Sequence, residues 1–242
     1  MKLRGNIISG ARLAASVLKY NKNAREIESA RSKGDIDLEK RLIAEATGSW
    51  VNDLIQIFDL TLNISGRENI PDEPCVFIAN HQAYCDVPAM LKATEGIQLG
   101  FIAKEAFKPV PILAKWILIT RGLFIPKDDP RESLKVISQG AEYVKQGFNM
   151  CIFPEGKRSF GPEMNPFKPG ALKLATKAKV PVVPVTIDGT YRTFEENLKI
   201  TKGQTASVII HPAINTAELS RSELADLPTE VEKIIRGSLS HK

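Results

Sequence analysis

Of the three histidines in this 242-residue chain, His81 lies in the run Ala79-Asn80-His81-Gln82-Ala83-Tyr84-Cys85-Asp86. The run stands where an apolar stretch ends and a helical pattern begins, a position where α/β sheets often carry functional groups. A histidine and an aspartate five apart do not share a helix face. With a turn between them, Asp86 at the helix start can fold back and accept a hydrogen bond from the imidazole. That bond fixes the tautomer and leaves the other ring nitrogen free to take a proton. The pair is then the base and orienter of a triad that needs no nucleophile from the protein. Taken alone, His-x4-Asp is more often a helix N-cap beside a loop histidine. His211 precedes Pro212 at a strand end, and His241 is next to the last residue.

A second loop, Ile152-Phe153-Pro154-Glu155-Gly156-Lys157-Arg158-Ser159, also follows an apolar run. A carboxylate (Glu155), a flexible glycine (Gly156) and paired cations suit the recognition of hydroxyl and phosphate groups. Arg158 has the planar fork that binds phosphate oxygens through two parallel N–H bonds. The alternative is a polar turn with solvated charges. Three cysteines, Cys75, Cys85 and Cys151, form no disulfide framework and point to a reducing compartment. As small buried residues they are set aside as nucleophiles. With His81 they lack the ligand spacing of a zinc site, so no metal is expected.

The elements that must position these groups begin near residue 65. Before that point there is no proline; the first is Pro71. Beyond it, apolar runs read as strands over residues 75–79, 98–103, 118–125, 150–153, 182–187 and 207–211. Helical patterns fall at 87–94, 130–146, 170–177 and 221–238. The alternation predicts an α/β fold with a mixed, mostly parallel sheet flanked by helices. Residues 66–242 form this domain, and residues 1–65 form an N-terminal two-helix appendage. Its polar turn lies around Ser32-Lys33-Gly34-Asp35, with Asp35 or Asp37 as N-cap. The first helix carries an apolar stripe of Ile7, Ala11, Ala14 and Leu18; the second carries Thr47, Val51, Leu54 and Phe58.

Up to Arg25 the chain has six basic residues and no acidic one. A basic amphipathic helix of that kind lies in a membrane interface, with its cations near lipid phosphates. Packing of the stripe on the main domain is the other use for it. No run reaches the roughly 18 apolar residues of a spanning helix; the longest are Ile7–Leu18 and Pro109–Ile119, broken by Arg12 and Lys115. Arg12 also argues against a signal peptide. The net charge of +5 fits anionic partners. Nucleic acid is not among those expected: aromatics are 7% of residues, and beyond residue 25 the cations are interspersed with acids.

In order along the chain, four blocks resemble those of the glycerolipid acyltransferase family, the enzymes that acylate glycerol 3-phosphate and lysophosphatidic acid. Asn80–Asp86 resembles the catalytic Asn-His-x4-Asp block. Arg121-Gly122-Leu123-Phe124-Ile125-Pro126-Lys127 resembles the second, with Pro-Lys where Asp-Arg is usual. Phe153–Ser159 resembles the third, with Lys157 where Thr is common, and Val180-Pro181-Val182-Val183-Pro184-Val185 the fourth. Ala83 stands where many members carry Ser.

The resemblance implies a 1-acyl-sn-glycerol-3-phosphate acyltransferase, with His81 and Asp86 catalytic and direct transfer from an acyl thioester. Lys104, Lys127, Arg158 and Lys168 are then expected on the substrate phosphate, and Glu155 and Gly156 on the glycerol. Either an acyl carrier protein or a coenzyme A thioester is the donor, with no other cofactor. Membrane phospholipids are expected to bind through residues 1–60, at the cytoplasmic face of the cell membrane and without a transmembrane span. Acylation of glycerol 3-phosphate, or headgroup binding without catalysis, are the competing functions.

Overall fold

The computed structural model describes residues 19–168 and 170–240. The expected stripe Ile7, Ala11, Ala14 and Leu18, the cations Lys2, Arg4 and Arg12, and His241 lie outside the described residues.

Helices α1 (Asn21–Ser32) and α2 (Ile36–Phe58) form an antiparallel pair. The Asp35 carboxylate caps α2 by accepting from the Leu38 N–H at 3.0 Å, since the first turn of a helix has no internal acceptors for its N–H groups. Ala24 and Ile27 pack against Ile43, Ala46 and Ile119. Below them Glu39, only 1% exposed, accepts from Arg31 Nε at 2.8 Å and from Arg121 Nε and Nη2 at 2.7 and 2.6 Å. Arg31 also donates to the carbonyls of Leu118 and Ile119. The pair is therefore fastened to the α/β body. An unpaired charge at that depth would cost several kcal/mol, so the three groups are interdependent.

Among the described residues one seven-stranded sheet has the order β1-β7-β6-β2-β5-β3-β4. In chain order these are β1 (Thr61–Ser65), β2 (Val76–Ala79), β3 (Leu99–Lys104), β4 (Leu123–Ile125), β5 (Asn149–Ile152), β6 (Val182–Asp188) and β7 (Thr205–Ile210). Neighbours run parallel except β6 and β7. The central strands β2 and β5 are buried at every residue, which is why they read as continuous apolar runs. Alternate side chains enter opposite layers. Phe77 and Ala79 meet α2 and α3 (Asp86–Ala93) through Val51, Ala89 and Met90. Val76 and Ile78 meet α5 (Pro130–Lys145), α6 (Lys173–Ala178) and α7 (Arg221–Gly237) through Val144, Leu174 and Val231.

The structure corrects the sequence reading in two places. Of the stretch 118–125, only Leu123–Ile125 is strand; the residues before it close a helix, α4 (Pro111–Ile119). A short apolar run has no periodicity that separates the two, and Pro111 at the first turn suits a helix start. The segment 1–65 is also not helical to its end, because Thr61–Ser65 is an edge strand paired with β7. It shows only five residues of alternating exposure.

Candidate active site

Strand β2 stops at Ala79, and the next residues are bent over its end by two buried amides. Asn80 donates to the Ile187 carbonyl and accepts from the Ile187 N–H, both at 2.7 Å. Its side chain thus continues the ladder to β6 for one more step. Gln82 accepts from the Gly189 N–H at 2.9 Å. The turn that follows delivers Asp86 to the first position of α3.

Asp86 is fully buried. Its Oδ2 lies 2.7 Å from His81 Nδ1 and accepts from the Ala83 N–H at 2.8 Å. Its Oδ1 accepts from the Thr190 hydroxyl. An ionised carboxylate only accepts, so His81 carries its proton on Nδ1 and Nε2 holds a lone pair. The ring, 20% exposed, lies against Phe153 with centroids 4.2 Å apart. The contact that the spacing suggested, between the imidazole and Asp86, is present.

The third block closes onto the first through the backbone. His81 N–H donates to Glu155 Oε1 at 2.6 Å, and His81 C=O accepts from the Ser159 N–H at 2.7 Å. Phe160 N–H donates to the Gln82 carbonyl at 3.2 Å. Glu155 is only 2% exposed, and its Oε2 accepts from the N–H and side-chain amide of Asn165 at 2.7 and 2.9 Å. Burial raises its pKa, against the pull of these donors. Both Glu155 oxygens are engaged in this way, and the carboxylate braces the histidine backbone against the 160s loop. Gly156 has φ of +67°, and a Cβ there would come within 2.6 Å of Lys168 Cε. The missing side chain is the space in which Lys168 lies.

Arg158 Nη1 donates to Glu195 Oε1 at 2.6 Å, and its guanidinium lies 3.5 Å from the centroid of Tyr84 and 4.7 Å from that of Phe160. Glu195 also accepts from the Tyr84 N–H. Through Nη1 and these two rings Arg158 ties the third block to the first. Around Lys104, at the end of β3, stand Lys127, Lys157 and Lys168. The Lys104 pKa is lowered by partial burial first, then by repulsion from Lys168, Arg158, Lys127 and Lys157. Five like charges that disfavour one another are relieved by an anion. Lys127, one of those expected on a phosphate, has a side chain 92% exposed and lies 3.8 Å from Asp128.

An apolar cavity of about 90 Å³ is lined by Trp50, Leu91, Leu99, Phe101, Leu113 and Trp116. Phe101 stacks on Phe153 at 6.1 Å, so two rings connect this cavity with His81. All three cysteines are buried. Burial pushes the Cys75 and Cys85 thiols up to about 12 and Cys151 well above its usual value, which removes the thiolate a nucleophile needs. Among the described residues no group of three or more His, Cys, Asp or Glu side chains is placed to hold a metal ion.

A family model described as Acyltransferase matches residues 61–188, from the start of β1 to the last residue of β6 and just over half of the 242 residues. The chain belongs to the acyltransferase family. Among curated relatives it is 37% identical over 144 residues to a chloroplastic 1-acyl-sn-glycerol-3-phosphate acyltransferase of Brassica napus, covering 58% of this chain and 41% of that protein. It is 35% identical over 145 residues to a probable 1-acyl-sn-glycerol-3-phosphate acyltransferase of Mycoplasma pneumoniae, covering 58% and 54%. The chain thus spans about half the length of the curated relatives it matches. A crystal structure of the 1-acyl-sn-glycerophosphate (LPA) acyltransferase PlsC of Thermotoga maritima has the same fold, with a TM-score of 0.77, 23% identity and full coverage of both chains.

Sequence reasoning missed Thr190, Glu195 and Asn165. Thr190 and Glu195 lie beyond the matched range, and all three are joined to the blocks only through space. No spacing signal could have found them.

Proposed function

We propose that this protein is a 1-acyl-sn-glycerol-3-phosphate acyltransferase, moving a fatty acyl group from a thioester to the sn-2 hydroxyl of lysophosphatidic acid to give phosphatidic acid. One observation carries the reading: a carboxylate-held imidazole stacks on Phe153, which joins it through Phe101 to an apolar cavity, and a cluster of cations gathers around Lys104. The imidazole suits a reacting alcohol, the cations suit its phosphate, and the cavity has room for a short stretch of an acyl chain.

In this reading His81 Nε2 takes the proton of the acceptor hydroxyl as its oxygen attacks the thioester carbonyl. The C–O bond forms, the tetrahedral intermediate collapses with loss of the C–S bond, and the imidazolium returns the proton to the departing thiolate. Asp86 holds the ring and balances its transient charge. Lys104, Lys127 and Lys168 receive the acceptor phosphate, while Glu155, Gly156 and Arg158 shape the loop that carries them. The donor is acyl carrier protein or coenzyme A thioester, and residues 1–60 take part in binding phospholipid at the cytoplasmic face of the membrane. The names of the curated relatives support the choice of acceptor, and the basic N-terminal segment supports the membrane. Among the described residues no helix is long and apolar enough to cross a bilayer.

The test is a panel of acyl thioesters and acceptors with thiol release as the readout. Lysophosphatidic acid is expected to be the preferred acceptor, and His81→Ala to lower turnover by about 10²–10⁴-fold while phosphate-lipid binding persists. Preference for glycerol 3-phosphate would move the reaction to sn-1. Near-native turnover by the His81→Ala protein would overturn the mechanism.

A further inference from the structure

Helix α4 carries the sequence Pro-Ile-Leu-Ala-Lys-Trp-Ile-Leu-Ile, yet only Ile119 in it is buried. Its inner side, through Leu113, Trp116 and Ile117, lines the apolar cavity. Its outer side leaves Leu118 51% and the preceding Val110 45% exposed, with Pro109, Pro111 and Lys115 also open. An apolar face of this kind on a helix end and its approach turn calls for a partner. The helix follows the end of β3 that carries Lys104, at the same edge of the sheet as His81, which follows β2 in parallel.

We propose that α4 and the turn before it are a second membrane-contacting element, inserted into the hydrocarbon border of an anionic bilayer. Three features select a bilayer over another protein surface. From Lys104 to Ile119 there are three lysines, Lys104, Lys108 and Lys115, against one acid, Glu105, and this charge matches lipid phosphates. Lys108 is held over the turn by Glu105 at 2.6 Å, and Lys115 sits on the outer side with a stem long enough to lift its ammonium to the headgroups. Nine residues give about 13 Å at 1.5 Å per residue, too short to cross a bilayer and suited to lying along its surface. Under the lipid-acylating function on which its purpose rests, α4 would be the wall between the bilayer and the acyl cavity.

The test uses the full chain with sedimented phosphatidylcholine vesicles, with and without phosphatidylglycerol. Val110→Ser with Leu118→Ser changes no charge and no cavity-lining side chain. It is expected to weaken binding to the anionic vesicles about tenfold with unchanged circular dichroism. Lys108→Gln with Lys115→Gln is expected to weaken binding to anionic vesicles and leave neutral ones unaffected. Leu118→Trp adds a reporter whose emission should shift to the blue on vesicles and be quenched by brominated acyl chains. Vesicle affinity of the Val110→Ser, Leu118→Ser protein within twofold of the parent would overturn the proposal. So would a Leu118→Trp signal that bound vesicles leave unchanged, or loss of self-association in place of loss of vesicle binding. All three readouts are independent of thiol release, so a protein without acyltransferase activity could still pass, and an active one could fail.

Discussion

Thr190 offers a quantitative check on the argument that Asp86 is held as well as holding. Its side chain is fully buried, and its hydroxyl donates to Asp86 Oδ1. The other two donors to this carboxylate, His81 Nδ1–H and Ala83 N–H, both meet Oδ2. Valine at 190 keeps the volume and leaves Oδ1 with no other donor among the described residues. A hydrogen bond to a charged group contributes about 1.5–3 kcal/mol. Where the loss falls on the alignment of the histidine, each ~1.4 kcal/mol is a factor of ten in rate. Thr190→Val is therefore expected to lower kcat by about 10–100-fold with little change in the KM for the acceptor. Thr190→Ser, which restores the donor, should recover most of it. Steady-state thiol release at saturating donor gives kcat, and urea unfolding separates this from a global loss of stability. A folded Thr190→Val enzyme with kcat within twofold of the parent would refute the idea that the third hydrogen bond matters for the base.

Three further outcomes follow from the same geometry. Glu155→Gln sets an amide NH2 against the N–H groups of His81 or Asn165 that the carboxylate now accepts, and is expected to cost about 2 kcal/mol in urea unfolding together with turnover; a stable, active variant would contradict the bracing role. Lys104→Ala with Lys168→Ala should raise the acceptor KM by more than it lowers kcat, which an acceptor titration would show directly. His211 has its pKa lowered from the ordinary 6.5 by burial, and its Nε2 lies 2.8 Å from the Thr186 hydroxyl. The unfolded chain then takes up the proton first as pH falls. His211 thus contributes stability that is present above pH 6.5 and lost as pH drops through 6.5 toward its lowered folded value. Thermal unfolding between pH 7 and 5 should show that loss in the parent and a flatter profile in His211→Gln.

The local parts of the fold were legible because local physics makes them. Central strands β2 and β5, buried on both faces, could only be apolar runs, and the capping of α2 needs only Asp35 and the turn before it. The turn from His81 to Asp86 is likewise short enough for spacing to constrain. Where the sequence reading failed, the deciding contact was distant. The strand read over 118–125 shortens to Leu123–Ile125 because only those residues pair with β3. Edge strand β1 went unseen because its partner, β7, lies at the far end of the chain.

The residue types of the two blocks determined by themselves which donors, acceptors and charges would stand just past two apolar strands. Only the tertiary structure decided what each cation and carboxylate would do. Arg158 has the chemistry of a phosphate fork, but Glu195, 37 residues on, takes one of its nitrogens and the ring of Tyr84 covers its face. Glu155 has the chemistry of a hydroxyl ligand, but the backbone of His81, 74 residues before it, fills that role. Thr190 reaches Asp86 across 104 residues because β6 lies beside β2 in the sheet. A side chain's donors and acceptors are fixed by its type. Which of them remain free for a substrate depends on neighbours that sheet order brings into reach, and nearby sequence does not encode that order.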